Sequence, residues 1–594
     1  MDKKNTTIGV VLLLAAFAII YFSPKPPPAP PAPVAAPATP AAPGTPAAAA
    51  SPAAPVNAPT GAFAAVTADP AAAQITTLAN DFVEVRLTNF GGAVRDVAFK
   101  KHPAVQGRPA PYIFNQAHAN PILALTEFPG LGRERAYEIV SATATEVVYR
   151  AVLENRVEVT RRFRLLADGE PGADPYRIHH ETTFRNLGDA TSPLGRVGLS
   201  VGTAALVDAH DNGQYLNVAY YDGDDTHYLN RGELEGGGIG SLVGAGKAPL
   251  AALERPGQVR WAAAKNHFFA SIYSPDAPGS GVVVRRIELP AFPESSVANI
   301  GLTGAARFDL PVLAGNGTAK LSGLLYVGPQ EYRRLAKFEK SEEKVLPYTE
   351  YFFNRIFLSG YIAPFLNLLM NWMHNLVGNW GVAIILMTIV LKIVSLPFTL
   401  AASKSAKRMS KLQPLMQEIR EKYKDNPQKQ QQATMELFKT HRVNPMGGCL
   451  PILITMPLFV GFFAMLQSPA ELRFQPFLWA HDLSAPDTIA RPFGIPINIM
   501  PLLMGATMYI QMRLTPSPSV DNLQMKMMRF MPVIFTFICY FFSCALALYS
   551  TVNGLFSIGQ QLVINRMKDP EQPAPAKPVG GGKAMKNVTP GKKK

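Results

Sequence analysis

The chain has 594 residues, length for about four globular domains at ~150 residues each, yet only 17% of them are charged and the net formal charge is +14. An apolar but basic chain argues against a purely soluble protein and for membrane spans flanked by basic segments, while 48% hydrophobic residues exclude disorder throughout. Cys449, Cys539 and Cys544 are the only cysteines, with no CxxC or Cys/His cluster, which excludes a disulfide scaffold and gives no metal-ligand spacing.

Lys3 and Lys4 precede an apolar run over residues 8–22. At 1.5 Å per residue that run is ~22 Å long, short for a span. We read residues 1–23 as a signal anchor, retained because no small-x-small site directly follows Phe22; a cleaved signal peptide is the alternative. Residues 24–59 are almost only Pro and Ala and form an extended tether.

From 60 to 345 the pattern changes to period two. Val157, Val159, Phe163 and Leu165 alternate with Glu158, Thr160, Arg162 and Arg164, and turn clusters such as Gly91-Gly92 and Asp168-Gly169 punctuate similar runs. Many short strands predict a large antiparallel β-sandwich. His179-His180 and the other histidines here have no ligand or triad spacing and take core or surface roles.

Residues 346–377 form a linker and an amphipathic helix. From Pro364 onward, Phe365, Leu369, Trp372, Met373 and Leu376 share one face, while Asn367, Asn371, His374 and Asn375 interrupt the rest. Such a helix lies in the membrane interface.

Spans are predicted over 378–397, 449–468 and 495–513, joined by segments 398–448, 469–494 and 514–528. The next run, 530–564, is uncharged; as one straight helix it would be ~52 Å long, against a hydrocarbon core of ~30 Å. Charge decides how it folds. Segment 398–448 carries net +6 and the tail 566–594 another +6, so both belong in the cytoplasm with the Lys3-Lys4 end. An even number of crossings follows, and a turn near Ser543 divides the run into spans 529–543 and 544–565. The reading is a six-span polytopic α-helical membrane protein with a large domain between its first two spans.

Segment 398–448 is predicted to be a helical hairpin, with Met409, Leu412, Met416, Ile419 and Tyr423 as a heptad-like stripe broken at Asn426-Pro427. In span 378–397, which is expected to stop at Pro397, Lys392 lies with Thr388 and Ser395 on one polar face. An intramembrane charge costs ~3 kcal/mol or more and marks a pathway; snorkelling to the interface is the competing role. Asn553, Ser557 and Gln560 are spaced four and three apart in the last span, as groove lining or as interhelical hydrogen bonding.

Several ordered motifs then resemble a known family. They are Gly378-Asn379-Trp380-Gly381, Asn444-Pro445-Met446-Gly447-Gly448-Cys449-Leu450-Pro451, Met456-Pro457, His481-Asp482-Leu483-Ser484 and Met531-Pro532-Val533-Ile534-Phe535, with Leu325-Tyr326-Val327-Gly328-Pro329 in the large domain. In this order they resemble the YidC membrane-protein insertase family (YidC/Oxa/Albino), in its Gram-negative form with a large periplasmic domain. The resemblance covers the whole chain. It implies a periplasmic β-super-sandwich related to sugar-mutarotase folds and a five-span core in the inner membrane. That core would enclose a hydrophilic groove open to cytoplasm and lipid.

The implied function is insertion, folding and assembly of nascent membrane proteins, alone or with the Sec translocon. It needs neither cofactor nor metal and is not an enzyme activity. The groove residues so implied are Lys392, Thr388, Ser395 and Asn553. The family usually has an arginine where Lys392 stands, and a tyrosine pair where this chain has Tyr549-Ser550. The basic tail suits anionic membrane lipids or ribosomal phosphates. Two rivals stand beside this reading. A secondary transporter coupled through Lys392 predicts inverted repeats, which the sequence lacks, and a sugar-active enzyme needs a convergent acid/base set that it does not display.

Overall fold

The computed structural model describes residues 72–209, 211, 213–235, 250–292, 299–441, 450–467, 470–514 and 523–566. The predicted anchor, tether, the 444–449 part of the Asn-Pro-Met-Gly motif and the tail beyond Arg566 lie outside them. Two compact units emerge, Met1–Ile356 with Gln467–Phe474, and Phe357–Leu466 with Gln475–Lys594.

The first unit is a β-sandwich. A nine-stranded antiparallel sheet runs Thr226–Asn230, Asn217–Tyr221, Trp261–Lys265, Phe269–Pro275, Thr318–Pro329, Arg177–Asn186, Val157–Leu165, Glu146–Leu153, Glu138–Ala142. A five-stranded sheet runs Ala252–Val259, Gly279–Glu288, Ile300–Asp309, Arg196–Ala204, Leu125–Thr126, and a four-stranded meander opens the unit at Ile75–Ala79. The sheets approach closely at Gly304, where a Cβ would lie 2.7 Å from a Val218 methyl. Period two is what the core uses: Val157, Val159, Phe163 and Leu165 point in, while Glu158, Thr160 and Arg164 are half-buried and Arg162 is exposed.

Among the polar groups buried in this unit, Arg161 and His180 are answered by backbone carbonyls and hydroxyls. Arg161 is fully buried; its guanidinium donates to Gly91 O at 2.7 Å, to Thr182 Oγ1 at 3.2 Å and to Leu123 O. Burial pulls it down to about 10. Beside it, His180 contacts Thr182 Oγ1 at 2.7 Å and Tyr273 OH at 3.2 Å. Burial, with the Arg161 charge, holds this imidazole well below its ordinary range.

Gln467–Phe474 completes the unit from far along the chain. Ala470 joins the hydrophobic core and Leu472 is fully buried. Arg473 donates to the carbonyls of Pro103 and Ala104 at 2.9 and 3.1 Å, its guanidinium 5.4 Å from the rings of Tyr112, Phe268 and Phe269. All but the first two of these residues fall in the predicted loop 469–494, because nothing local distinguishes a loop from a piece of a distant core.

The second unit is helical: α1 (Ser359–Val377), α2 (Trp380–Lys411), α3 (Gln413–Lys422), α4 (Pro427–Thr440), α5 (Leu450–Leu466), α6 (Ile499–Leu514), α7 (Leu523–Ile538) and α8 (Cys544–Arg566). Among the described residues, Trp380–Ala401 is the one helix long and apolar enough to cross a membrane; its 22 residues span ~33 Å against a ~30 Å core. Met456–Leu466 and Phe530–Phe541 are shorter apolar helices.

Several boundaries differ from expectation: α6 begins at Ile499 rather than 495, and α7 begins at Leu523, inside the predicted segment 514–528, and ends at Ile538. α1 begins five residues before Pro364. α2 does not stop at Pro397 but continues to Lys411; the proline removes one donor, a loss tolerated in apolar helices whose neighbours satisfy the freed group. The predicted stripe from Met409 to Tyr423 crosses a break at Leu412, because Pro414 sits in the first turn of a new helix, α3. Asn426 caps α4 by accepting from Lys429 N at 3.0 Å.

α1 buries Ala363, Leu366, Met370 and Met373, so Met373 leaves the apolar face predicted for it. Phe365, Leu368, Trp372 and Leu376 are exposed, while Asn367 and Asn371 are buried and hydrogen-bonded to each other at 3.1 Å.

Arg177 and Glu342 provide a test of the sandwich. They pair at 2.8 Å with side chains 3% and 2% exposed, and Ser274 Oγ also donates to Glu342 at 2.9 Å. Glu342→Ala leaves a buried guanidinium without its counter-charge and should cost about 3–5 kcal/mol. Chemical denaturation should record that as a lower midpoint for the sandwich transition.

Candidate functional site

The predicted polar face of α2 and the 553/557/560 face of α8 meet. Lys392, half-buried, donates from Nζ to Ser557 Oγ at 2.8 Å. Two turns further along α2, Thr399 Oγ1 accepts from Gln560 Nε2 at 2.9 Å. Two polar cross-links therefore join α2 and α8, which run in the same direction here.

The other predicted residues take different places. Thr388 is 1% exposed and its hydroxyl donates to Ile384 O of its own helix at 2.7 Å. Ser395 Oγ donates to the Lys392 backbone carbonyl at 3.1 Å. The Asn553 carbonyl accepts from Ser557 Oγ at 2.7 Å, and its amide side chain is half-buried. So Lys392 meets Ser557 across the two helices and Ser557 bonds back to the Asn553 backbone carbonyl, while the hydroxyls of Ser395 and Thr388 both turn back on α2.

Ser557 is the direct partner of Lys392, a rank that the four-three spacing of Asn553, Ser557 and Gln560 does not give. Thr399 was missed. It continues the α2 stripe four residues after Ser395, but past the proline taken as the helix end.

α8 is the hub of this unit and packs on α2, α5 and α6. Tyr549, 5% exposed, stacks on Phe462 of α5 with ring centres 3.8 Å apart. At Gly554 a Cβ would lie 2.6 Å from Thr507 Oγ1 of α6, so these two helices approach too closely for any larger residue. Where α6 and α8 begin, one loop caps both: Asp487 Oδ2 accepts from Met500 N at 2.7 Å and Trp479 Nε1 at 2.8 Å, while Cys544 N and Ala545 N donate to Ala485 O and Leu483 O. Asn498 is structural, donating to Tyr540 O at 2.7 Å. Among the described residues no group of His, Cys, Asp or Glu is arranged to hold a metal.

Gly554 supplies a packing test. Gly554→Leu should push α8 from α6 and cost about 1–3 kcal/mol. Gly559→Ala, with nothing within 4 Å of the new Cβ, should leave the melting midpoint in detergent within experimental scatter of wild type or raise it.

Comparison with known proteins places this architecture. Residues 75–359 match the family model for the YidC periplasmic domain, and residues 372–572 match that for the 60Kd inner membrane protein. A membrane protein insertase YidC from Saccharophagus degradans is 32% identical over 541 residues, 84% of this chain and 86% of the relative. One from Laribacter hongkongensis is 29% identical, covering 95% and 98%. With one from a Shewanella species identity is 38%, but the alignment spans only about half the relative's length, 53%, and 52% of this chain.

Among solved structures, an active YidC insertase with its first transmembrane domain resolved has 18% identity and a TM-score of 0.31, covering 84% of this chain and 96% of that one. A putative aldose 1-epimerase from Escherichia coli has 12% identity and a TM-score of 0.29, covering 43% and 99%. These scores are low, and the sandwich assignment rests on the strands themselves. The chain belongs to the YidC family of membrane protein insertases.

Proposed function

We propose that this chain is a membrane protein insertase and chaperone for nascent inner-membrane proteins, working alone or beside the Sec translocon. The observation that carries the reading is the seam between α2 and α8: a half-buried lysine whose ammonium donates to Ser557 of the neighbouring helix. A wet, positively charged groove shortens the path of a short polar segment through hydrocarbon. It also attracts acidic segments, while apolar flanks of the client pass into lipid.

In this proposal six spans cross the membrane, both termini are cytoplasmic and the sandwich is periplasmic. The turn that divides the last run is supported by the break between Phe541 and Cys544. Lys392 is the electrostatic attractor, with Thr388, Ser395 and Asn553 lining the groove. The exposed aromatic face of α1 suits membrane lipid. The α3–α4 hairpin receives clients and, with the basic tail, meets the ribosome.

Purified protein in liposomes tests this with clients that differ only in the charge of the translocated segment. Lys392→Arg should stay close to wild type, since charge is kept although the head group changes shape. Lys392→Ala should slow acidic clients by roughly tenfold, the scale of one charged hydrogen bond, and Lys392→Glu should slow them further by repulsion. A flat response across the three variants removes Lys392 from the mechanism. Solute uptake without insertion would identify the transporter instead.

Deleting residues 409–438 should cripple insertion while the protein still accumulates, as measured by client protection in the same liposomes. Normal insertion by that deletion would make the hairpin a passive connection.

A further inference from the structure

Lys392 ends on one specific atom. Its Nζ lies 2.8 Å from Ser557 Oγ, and the Ser557 hydroxyl gives its single proton to the Asn553 carbonyl, 2.7 Å away and one turn back along α8. A serine hydroxyl has one donor and two acceptor lone pairs. With the donor committed to its own helix, only lone pairs face the ammonium, so the seat accepts a donor and nothing else.

Without such a seat, a lysine on a flexible four-carbon stem moves its charge toward the helix end. The seat is also held in register. Gln560 on α8 donates to Thr399 on α2 at 2.9 Å, and Gly554 sets α8 tightly against Thr507. An ammonium carries three donors; the seat takes one, and in this reading the others meet an incoming carboxylate.

We propose that Ser557 is the positioning residue for client recognition, holding the Lys392 ammonium inside the α2–α8 seam at the depth where an acidic client segment meets it. This rests on the insertase reading above. Ser557 touches no client; it acts through Lys392, and its effect therefore depends on client charge. A serine that merely packed two helices together would affect every client alike.

The experiment uses the full-length protein in liposomes and a client series with an increasing number of acidic residues in the translocated segment. Ser557→Ala should lower the insertion rate of the most acidic client on the order of tenfold, the scale of one hydrogen bond to a charged group, with a loss that shrinks as the acidic residues are removed. Ser557→Thr keeps the hydroxyl and should restore most of the rate, which separates the seat from simple misfolding. In a Lys392→Ala background Ser557→Ala should add nothing, as expected for two residues acting as one unit.

An equal loss for every client, or losses that add in the double variant, overturns the proposal. If Lys392→Ala depends on client charge and Ser557→Ala does not, only this proposal falls. If Lys392→Ala shows no charge dependence, the groove reading and the seat fall together.

Discussion

A polar atom carried into an apolar helix bundle has no water to answer it, so it must find a partner in the protein or reach an edge. The hydroxyls of α2 meet this demand locally: Thr388, Ser395 and Thr399 all donate to carbonyls of their own helix. Lys392 takes its acceptor from another helix instead, and α8 provides it. The rest of the helical unit then serves to keep α8 where that acceptor is needed. A glycine lets it close on α6, a stacked tyrosine fixes it to α5, and a loop caps it together with α6 at one end.

The sandwich meets the same demand in two ways that differ in what they risk. Arg161 is satisfied largely by backbone carbonyls, which no side-chain substitution can remove. Arg177 relies mainly on the carboxylate of Glu342, so one substitution can strand it. Both are dry solutions. The groove proposed for the helical unit would need the opposite, a charge held in place but with donors left over.

Much of this was legible from residue order, where the physics is local. Period two in residues 157–165 reads directly onto the buried and exposed sides of one strand, and the spacing of Thr388, Lys392 and Ser395 predicts a shared helical face. Arg161 was not legible as a core residue, because the carbonyls that satisfy it come from Gly91 and Leu123, far away in sequence. Nor could the rank of Ser557 over Asn553 be read. Both lie on the same face of α8, and only the register of α8 against α2 decides which reaches Lys392. The end of α2 was misplaced by a sound local rule, since proline usually closes a helix in water but is tolerated in apolar surroundings. Helix length also could not supply the count of crossings, because among the described residues only Trp380–Ala401 is long enough by itself.

The segment Gln467–Phe474 bears on how the protein is made. Strands of the sandwich leave the ribosome first, yet Ala470 belongs to their core and Arg473 fills a place between the Pro103–Ala104 carbonyls and three aromatic rings. Translation must therefore pass the whole of α1 to α5 before the sandwich has all its parts. The domain that is synthesised early cannot complete its core until residues 470–473 have been made.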